Sequence, residues 1–174
     1  MSTDPSDPGS PNRACARMRR RAAVLLSAAM AASLVYAFIR LRFDTNQWPI
    51  IVGFIAAVVF AAGLGFRYGA WYCEVEGERP TFELVLCPVI VFVLASLGGS
   101  AVACVLLLIE AQNLPASLQQ LLLVLLFMPP LALYGFAIVV AAAWPAILVT
   151  HAIAGWMLAR YSRSASRSTI GFLN

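Results

Sequence analysis

The sequence predicts an all-α integral membrane protein, a bundle of four to five transmembrane helices. Three observations predict it. Of the 174 residues, 61% are hydrophobic and only 11% charged, where soluble domains carry about 45–50% apolar and about 25% charged residues. The apolar residues fall into long runs matched to the thickness of a bilayer. Arginines stand at the ends of those runs, where cations anchor membrane helices.

Residues 1–21 are expected to form a disordered tail ending in a basic juxtamembrane cluster. The stretch MSTDPSDPGSPNRA holds three Pro with Ser, Asp and Gly and no apolar periodicity, a composition that does not fold alone. Its two Asp argue against an organellar transit peptide. Arg17, Arg19, Arg20 and Arg21 follow. Placed directly before an apolar segment, they fit orientation anchoring and anionic headgroups better than nucleic acid.

The first apolar segment, 22–39, reads AAVLLSAAMAASLVYAFI. As a helix it spans about 27 Å, enough to cross. AMA at 29–31 resembles a signal-peptide cleavage site, but the apolar run continues through VYAFI, so an uncleaved signal-anchor is expected. Arg40 and Arg42 close it. The second segment, 48–66, opens on Trp48, an interface aromatic, and on Pro49, suited to a first helical turn. Arg67 and Tyr68 close it.

The connection 67–83, RYGAWYCEVEGERPTFE, is the one sizeable polar loop. Its Glu74, Glu76, Glu78 and Glu83 would suit a hard cation if an extended strand turned alternate carboxylates one way. A solvated turn around Gly77 is the simpler expectation. The third segment, 83–109, follows Thr81 as a candidate N-cap. The 26 residues from Leu84 to Ile109 make about 39 Å of helix and so predict tilt. Ala95, Gly99 and Ala103 recur at four-residue spacing, with Ser96, Ser100 and Cys104 beside them. Such a stripe lets another helix approach closely.

Ser117 and Gln120 form a capping-box pattern, and apolar character then runs from Leu118 to Ala159. These 42 residues make about 63 Å of helix, too long for one crossing of a core about 30 Å thick. Length therefore predicts two helices, about 118–141 and 145–160. The second would open on Trp144-Pro145, as the earlier segment opens on Trp48-Pro49, and close on Arg160-Tyr161. Charge points the other way. With the N-terminus cytoplasmic, four crossings put ten Arg inside and two outside, whereas five put seven inside and five outside. The positive-inside bias favours the even number. A re-entrant hairpin with its tip at Pro129-Pro130 reconciles both signals. Residues 161–174 are expected to form a Ser/Arg-rich C-terminal tail.

The chemistry is narrowly bounded. All 12 basic residues are Arg, so no lysine Schiff base forms and a retinal-type chromophore is excluded. One His cannot supply a bis-His haem within one subunit. Cys15, Cys73, Cys87 and Cys104 show no C-x-x-C pair and no zinc spacing, and Cys87 and Cys104 sit in an apolar run as small packing residues. There is no glycine-rich phosphate loop, no H-E-x-x-H, and no pair of carboxylates inside the apolar segments. No cofactor and no metal are expected.

His151 lies nine residues before Arg160, about 13 Å below that interface. An ionisable side chain at such depth is a candidate proton relay or ligand site. Its partners there must be hydroxyls: Thr150, Tyr134, Tyr36, Ser96 or Ser100. A neutral His bonded across helices to one of them needs no further role. Ser100 in GGSA and His151 in HAIAG are also the residue types of an intramembrane serine hydrolase. The rhomboid type pairs a GxSG serine with a His followed by Gly at +3. Here Ala101 takes the final Gly position, and Gly155 falls at +4.

The function expected is that of a structural or accessory membrane protein, not an enzyme, acting through helix packing at Ala95, Gly99 and Ala103. The alternative is a transporter or channel component with a broken-helix path at Pro129, Pro130 and His151. An intramembrane Ser/His hydrolase stands third. Arg19, Arg20, Arg21, Arg67 and Arg160 are the expected topology anchors. The partners expected are the lipid bilayer and either another membrane protein or a second copy, with no nucleic acid. Arg without Lys, together with abundant Ala, points to a GC-rich bacterial genome and hence to a bacterial inner membrane, N-terminus cytoplasmic.

Overall fold

The computed structural model describes residues 11–42, 47–73, 81–110 and 118–170, with side chains described for 13–42, 47–73, 86–110 and 126–162. Among these only Arg42, Gln47 and Cys73 stand outside a helix. Four long helices, α1 (Pro11–Leu41), α2 (Trp48–Tyr68), α3 (Thr81–Glu110) and α4 (Leu118–Ile170), are joined by a short 3-10 turn, Gly69–Tyr72, at the end of α2. All four contain a stretch long and apolar enough to cross a membrane.

The helices form an up-and-down square. In chain order each packs against the next, and α4 returns to α1. The contacts fix the antiparallel sense. Gly65 of α2 abuts Ala22 and Ala23 of α1, while Gly53 abuts Ala103 of α3. Ser33 of α1 meets Thr150 of α4, and Arg21 lies over Tyr161. The buried centre is built from Leu26, Met30, Ser33, Val91, Phe92, Ala95, Ala143 and Leu158 among others. Across the diagonal, Ser96 of α3 reaches Met30 of α1.

Local chemistry explains the helix ends. Pro49 sits in the first turn of α2, where a missing N–H costs nothing, and the amides of Ile50 and Ile51 bond the Gln47 carbonyl. The end of α1 is marked by Arg42 in the left-handed region at φ 51°, a place more often taken by glycine. At its start α1 differs from the expected tail. Residues 11–21 are helical, because Pro suits a first turn, Arg is a good helix former, and Met18 and Ala22 on this stretch are buried against the bundle. Likewise α4 continues to Ile170 through most of the expected C-terminal tail. Residues 1–10, the Glu74–Arg79 loop and Ser117 of the capping box lie outside the described residues, as do the side chains of Glu83 and Gln120.

The largest difference concerns 118–160. In place of two helices, or of a re-entrant hairpin tipped at Pro129-Pro130, there is one helix that contains Pro129, Pro130 and Pro145. It is not straight. The Phe92 ring of α3 lies 6.1 Å from the Phe136 ring and 5.0 Å from the His151 ring, which caps the separation of those two rings at about 11 Å. Fifteen residues of straight helix place their Cα atoms about 22 Å apart, and helical side chains lean toward the N-terminus rather than toward each other. So α4 bends around Phe92. Pro145 lies within that interval, where it withdraws the donor owed to the Ala141 carbonyl and its ring crowds the preceding turn. The Trp144-Pro145 signal marks a bend and not an end.

Candidate functional site

A polar cluster is held between α1 and α4, inside an otherwise apolar bundle. It begins on α1, where Ala22, Leu26, Met30, Ser33 and Ala37 share the buried face at helical spacing. Ser33 Oγ lies 3.0 Å from Thr150 Oγ1 across the helix pair. Each hydroxyl also reaches a carbonyl one turn back in its own helix, Ser33 to Ala29 at 2.9 Å and Thr150 to Ala146 at 2.7 Å. Each hydroxyl carries one proton, so one of the pair donates across the interface and the other donates to its own helix.

His151 is buried beside this pair. Its Nδ1 lies 3.0 Å from the Ile147 carbonyl and 3.2 Å from Thr150 Oγ1. A carbonyl only accepts, so Nδ1 carries the proton and Nε2 holds the lone pair of the neutral ring. Nε2 has no hydrogen-bond partner among the described residues. The ring is wedged edge-on against Phe92. This geometry decides what the site does chemically. With its proton committed to Ile147, Nδ1 cannot take one from Thr150, so the closest hydroxyl is not activated as a nucleophile. Ser100 packs beside Gly135 instead, and no hydrogen bond joins it to His151. Among the described residues no three His, Cys, Asp or Glu side chains gather to hold a metal.

Of the hydroxyls expected near His151, only Thr150 is there. Tyr134 is 68% exposed and Tyr36 is also turned outward, because their positions fall off the faces that meet the bundle. Ser96 is occupied with Met30. Pro129 and Pro130 are exposed while His151 is buried, so the three do not line one path. Ser33 escaped sequence reasoning, yet its place on the small-residue face of α1 was the available signal.

The Ala95, Gly99 and Ala103 stripe faces α2. A Cβ added at Gly99 would lie 2.5 Å from the Gly53 carbonyl oxygen and 2.6 Å from Ala57 Cβ, and one at Gly53 would lie 2.6 Å from Ala103 Cβ. The two backbones touch. Their counterparts on α2 are Gly53 and Ala57, in a buried row with Ala61 and Gly65 whose last member turns to Ala22 and Ala23 of α1, and the same four-residue spacing would have revealed that row.

The expected anchors collect at one end. Arg19 stands against Gly69 of the 3-10 turn, its Cα 2.8 Å from where a Cβ would be, with its guanidinium 6.0 Å from the Phe66 ring. Arg21 lies 4.6 Å over Tyr161 and Arg160 5.5 Å over Trp156. Arg67 lies in the last turn of α2, and Arg20 is exposed on α1. At the same end Cys15 and Cys73 form a disulfide, their Cα atoms 5.3 Å apart. No spacing motif announces that pair, although antiparallel pairing of the first two apolar segments brings their outer flanks together. Cys87 and Cys104 are free thiols, with Cys87 buried. At the opposite end Trp48 Nε1 donates to Glu110 at 3.1 Å. Comparison with protein families, with characterised proteins and with solved structures finds no match.

Proposed function

We propose that this chain is a multi-pass membrane protein of structural or accessory type, resident in a bacterial inner membrane with its arginine-rich end in the cytoplasm. One observation carries the reading: the apolar side chains that the bundle leaves outside. Val24, Ile39, Val59, Leu126, Phe127, Leu148 and Trp156 are all more than half exposed, far beyond what a soluble monomer presents. Burial of the apolar window is least in α4, at 17%, so α4 offers lipid or a membrane partner the widest face. Four helices also agree with the even number of crossings favoured by ten Arg at one end against two at the other. The test is extraction. The protein should stay in the membrane pellet through alkaline carbonate and enter solution only with detergent, and a C-terminal reporter should read cytoplasmic. Release by carbonate as a dispersed particle would overturn the reading.

One feature favours a second role, a component of a transport path. Among the described residues His151 Nε2 has no hydrogen-bond partner, six residues past the bend at Pro145, and broken helices commonly carry transport sites. His151→Asn keeps a polar side chain of similar size and removes the imidazole. If membrane abundance holds but a proton or solute flux in reconstituted vesicles is lost, the transport reading gains; if vesicles with the unchanged protein carry no flux, it falls.

A further inference from the structure

A concavity of about 270 Å³ opens between the start of α1 and the end of α4, lined by Arg20, Arg21, Val24, Leu25 and Tyr161. Its chemistry is divided along the helix axis. Arg20 and Arg21 line it toward the start of α1, and one turn further along the helix Val24 and Leu25 form an apolar wall, Val24 being 65% exposed. Tyr161 holds Arg21 by its ring face, the guanidinium carbon 4.6 Å from the centroid. A stacked guanidinium keeps its in-plane N–H donors for another acceptor. Among the described side chains the one carboxylate is Glu110, at the opposite end of the bundle beside Trp48. Cys73, the last described residue before the acidic stretch, is bonded to Cys15. Cys15 and Arg19 face α2, whereas Arg20, Arg21 and Val24 lie roughly 100–180° further round α1.

We propose that this concavity binds an anionic phospholipid. The phosphate sits on Arg20 and Arg21, and the first methylenes of an acyl chain lie along Val24 and Leu25. Guanidinium forks match phosphate oxygens, and basic pockets between helices at the cytoplasmic edge hold such headgroups. The apolar wall distinguishes lipid from free phosphate, which has nothing to cover it with. Trp156, 62% exposed on α4 with Arg160 over its ring, places an interface aromatic about a turn and a half before Tyr161. The proposal rests on the membrane reading above.

The experiment is native mass spectrometry of the full chain released from nanodiscs of mixed phosphatidylglycerol and phosphatidylcholine. The unchanged protein should retain phosphatidylglycerol with about tenfold preference, and the R20Q/R21Q double variant should lose that preference. Glycerol phosphate, the headgroup without tails, should not displace the lipid. Equal retention of the two lipids by the unchanged protein overturns the proposal, whether or not the variants fold. So does full retention by the double variant. Displacement by glycerol phosphate at lipid-like concentration would reduce the site to a phosphate site. A protein that resists carbonate yet shows no preference refutes this site and leaves the membrane reading standing.

Discussion

The seam between α2 and α3 and the seat of α4 solve the same packing problem in opposite ways. Along the seam, small side chains let the backbones meet: Gly53, Ala57, Gly99 and Ala103 interlock with nothing larger than a methyl group between them. The fit is by shape alone. By contrast, α4 is tied by hydroxyls, Ser33 with Thr150 and Ser162 donating to the Tyr72 carbonyl at 3.1 Å, and wraps an aromatic ring, Phe92, by bending. Its outward face stays bare. The difference teaches where the molecule tolerates change. A close-packed seam has no slack, whereas a polar tie and a bend can each be altered while the helix remains in place.

The largest expected effect follows at the seam. Gly99→Leu puts a branched side chain where even a Cβ meets backbone, so α2 must move away. Overpacking against backbone has no flexible neighbour to yield, and the yield of monodisperse protein in mild detergent should fall at least about tenfold. A Gly99→Leu protein with unchanged yield and melting would show that the seam is not the tight element. Next comes the bend. Pro145→Ala restores an N–H to the Ala141 carbonyl, and spin labels at Ala137 and Ala152, measured by pulsed electron resonance in a cysteine-free background, should move apart toward the roughly 22 Å of straight helix. Equal distances with and without the proline would assign the bend to packing around Phe92 instead.

The polar tie should matter less. Ser33→Ala removes one hydroxyl and leaves Thr150 bonded to Ala146, so unfolding in mixed micelles should shift by about 0.6 kcal/mol, the average for such interhelical bonds, and by no more than about 1.7 kcal/mol. A larger loss would mean that the Ser33, Thr150 and His151 cluster acts as one unit. The smallest effect sharpens the contrast within α2 itself. A Cβ at Gly63 meets nothing within 4 Å, and Gly63→Ala should leave assembly intact or add about 0.5 kcal/mol through helix propensity. Two glycines in one bundle should thus respond in opposite directions.

Much of the architecture was legible. Composition and run length predict long apolar helices, four of which are present, and the four-residue spacing of Ala95, Gly99 and Ala103 identifies a face that does meet another helix. The matching stripe from Gly53 to Gly65 obeys the same rule and was equally readable. The helix count in the last third was harder. Trp144-Pro145 carries two local marks of a helix start, but a proline removes one donor without dictating what the chain does next, and here the neighbouring turns continue. Ionic patterning, which averages over the whole chain, agreed better with four helices than local signals did. The polar cluster was half visible. His151 and Thr150 are adjacent in sequence, whereas Ser33 lies 117 positions away and only three-dimensional pairing of α1 with α4 brings it in. Tyr134 failed for the complementary reason: a hydroxyl placed in an apolar run says nothing about which way its ring points, and this one is turned outward.

The sulfur pair near the arginine-rich end turns the first two helices into a closed loop of polypeptide, 58 positions around. If that end faces the cytosol, as proposed, glutathione would keep both thiols reduced and the loop would shut only once the protein meets air. Material purified without reductant would then melt higher than the same protein in dithiothreitol, whereas a bond already present in intact cells would put that end on the oxidising side.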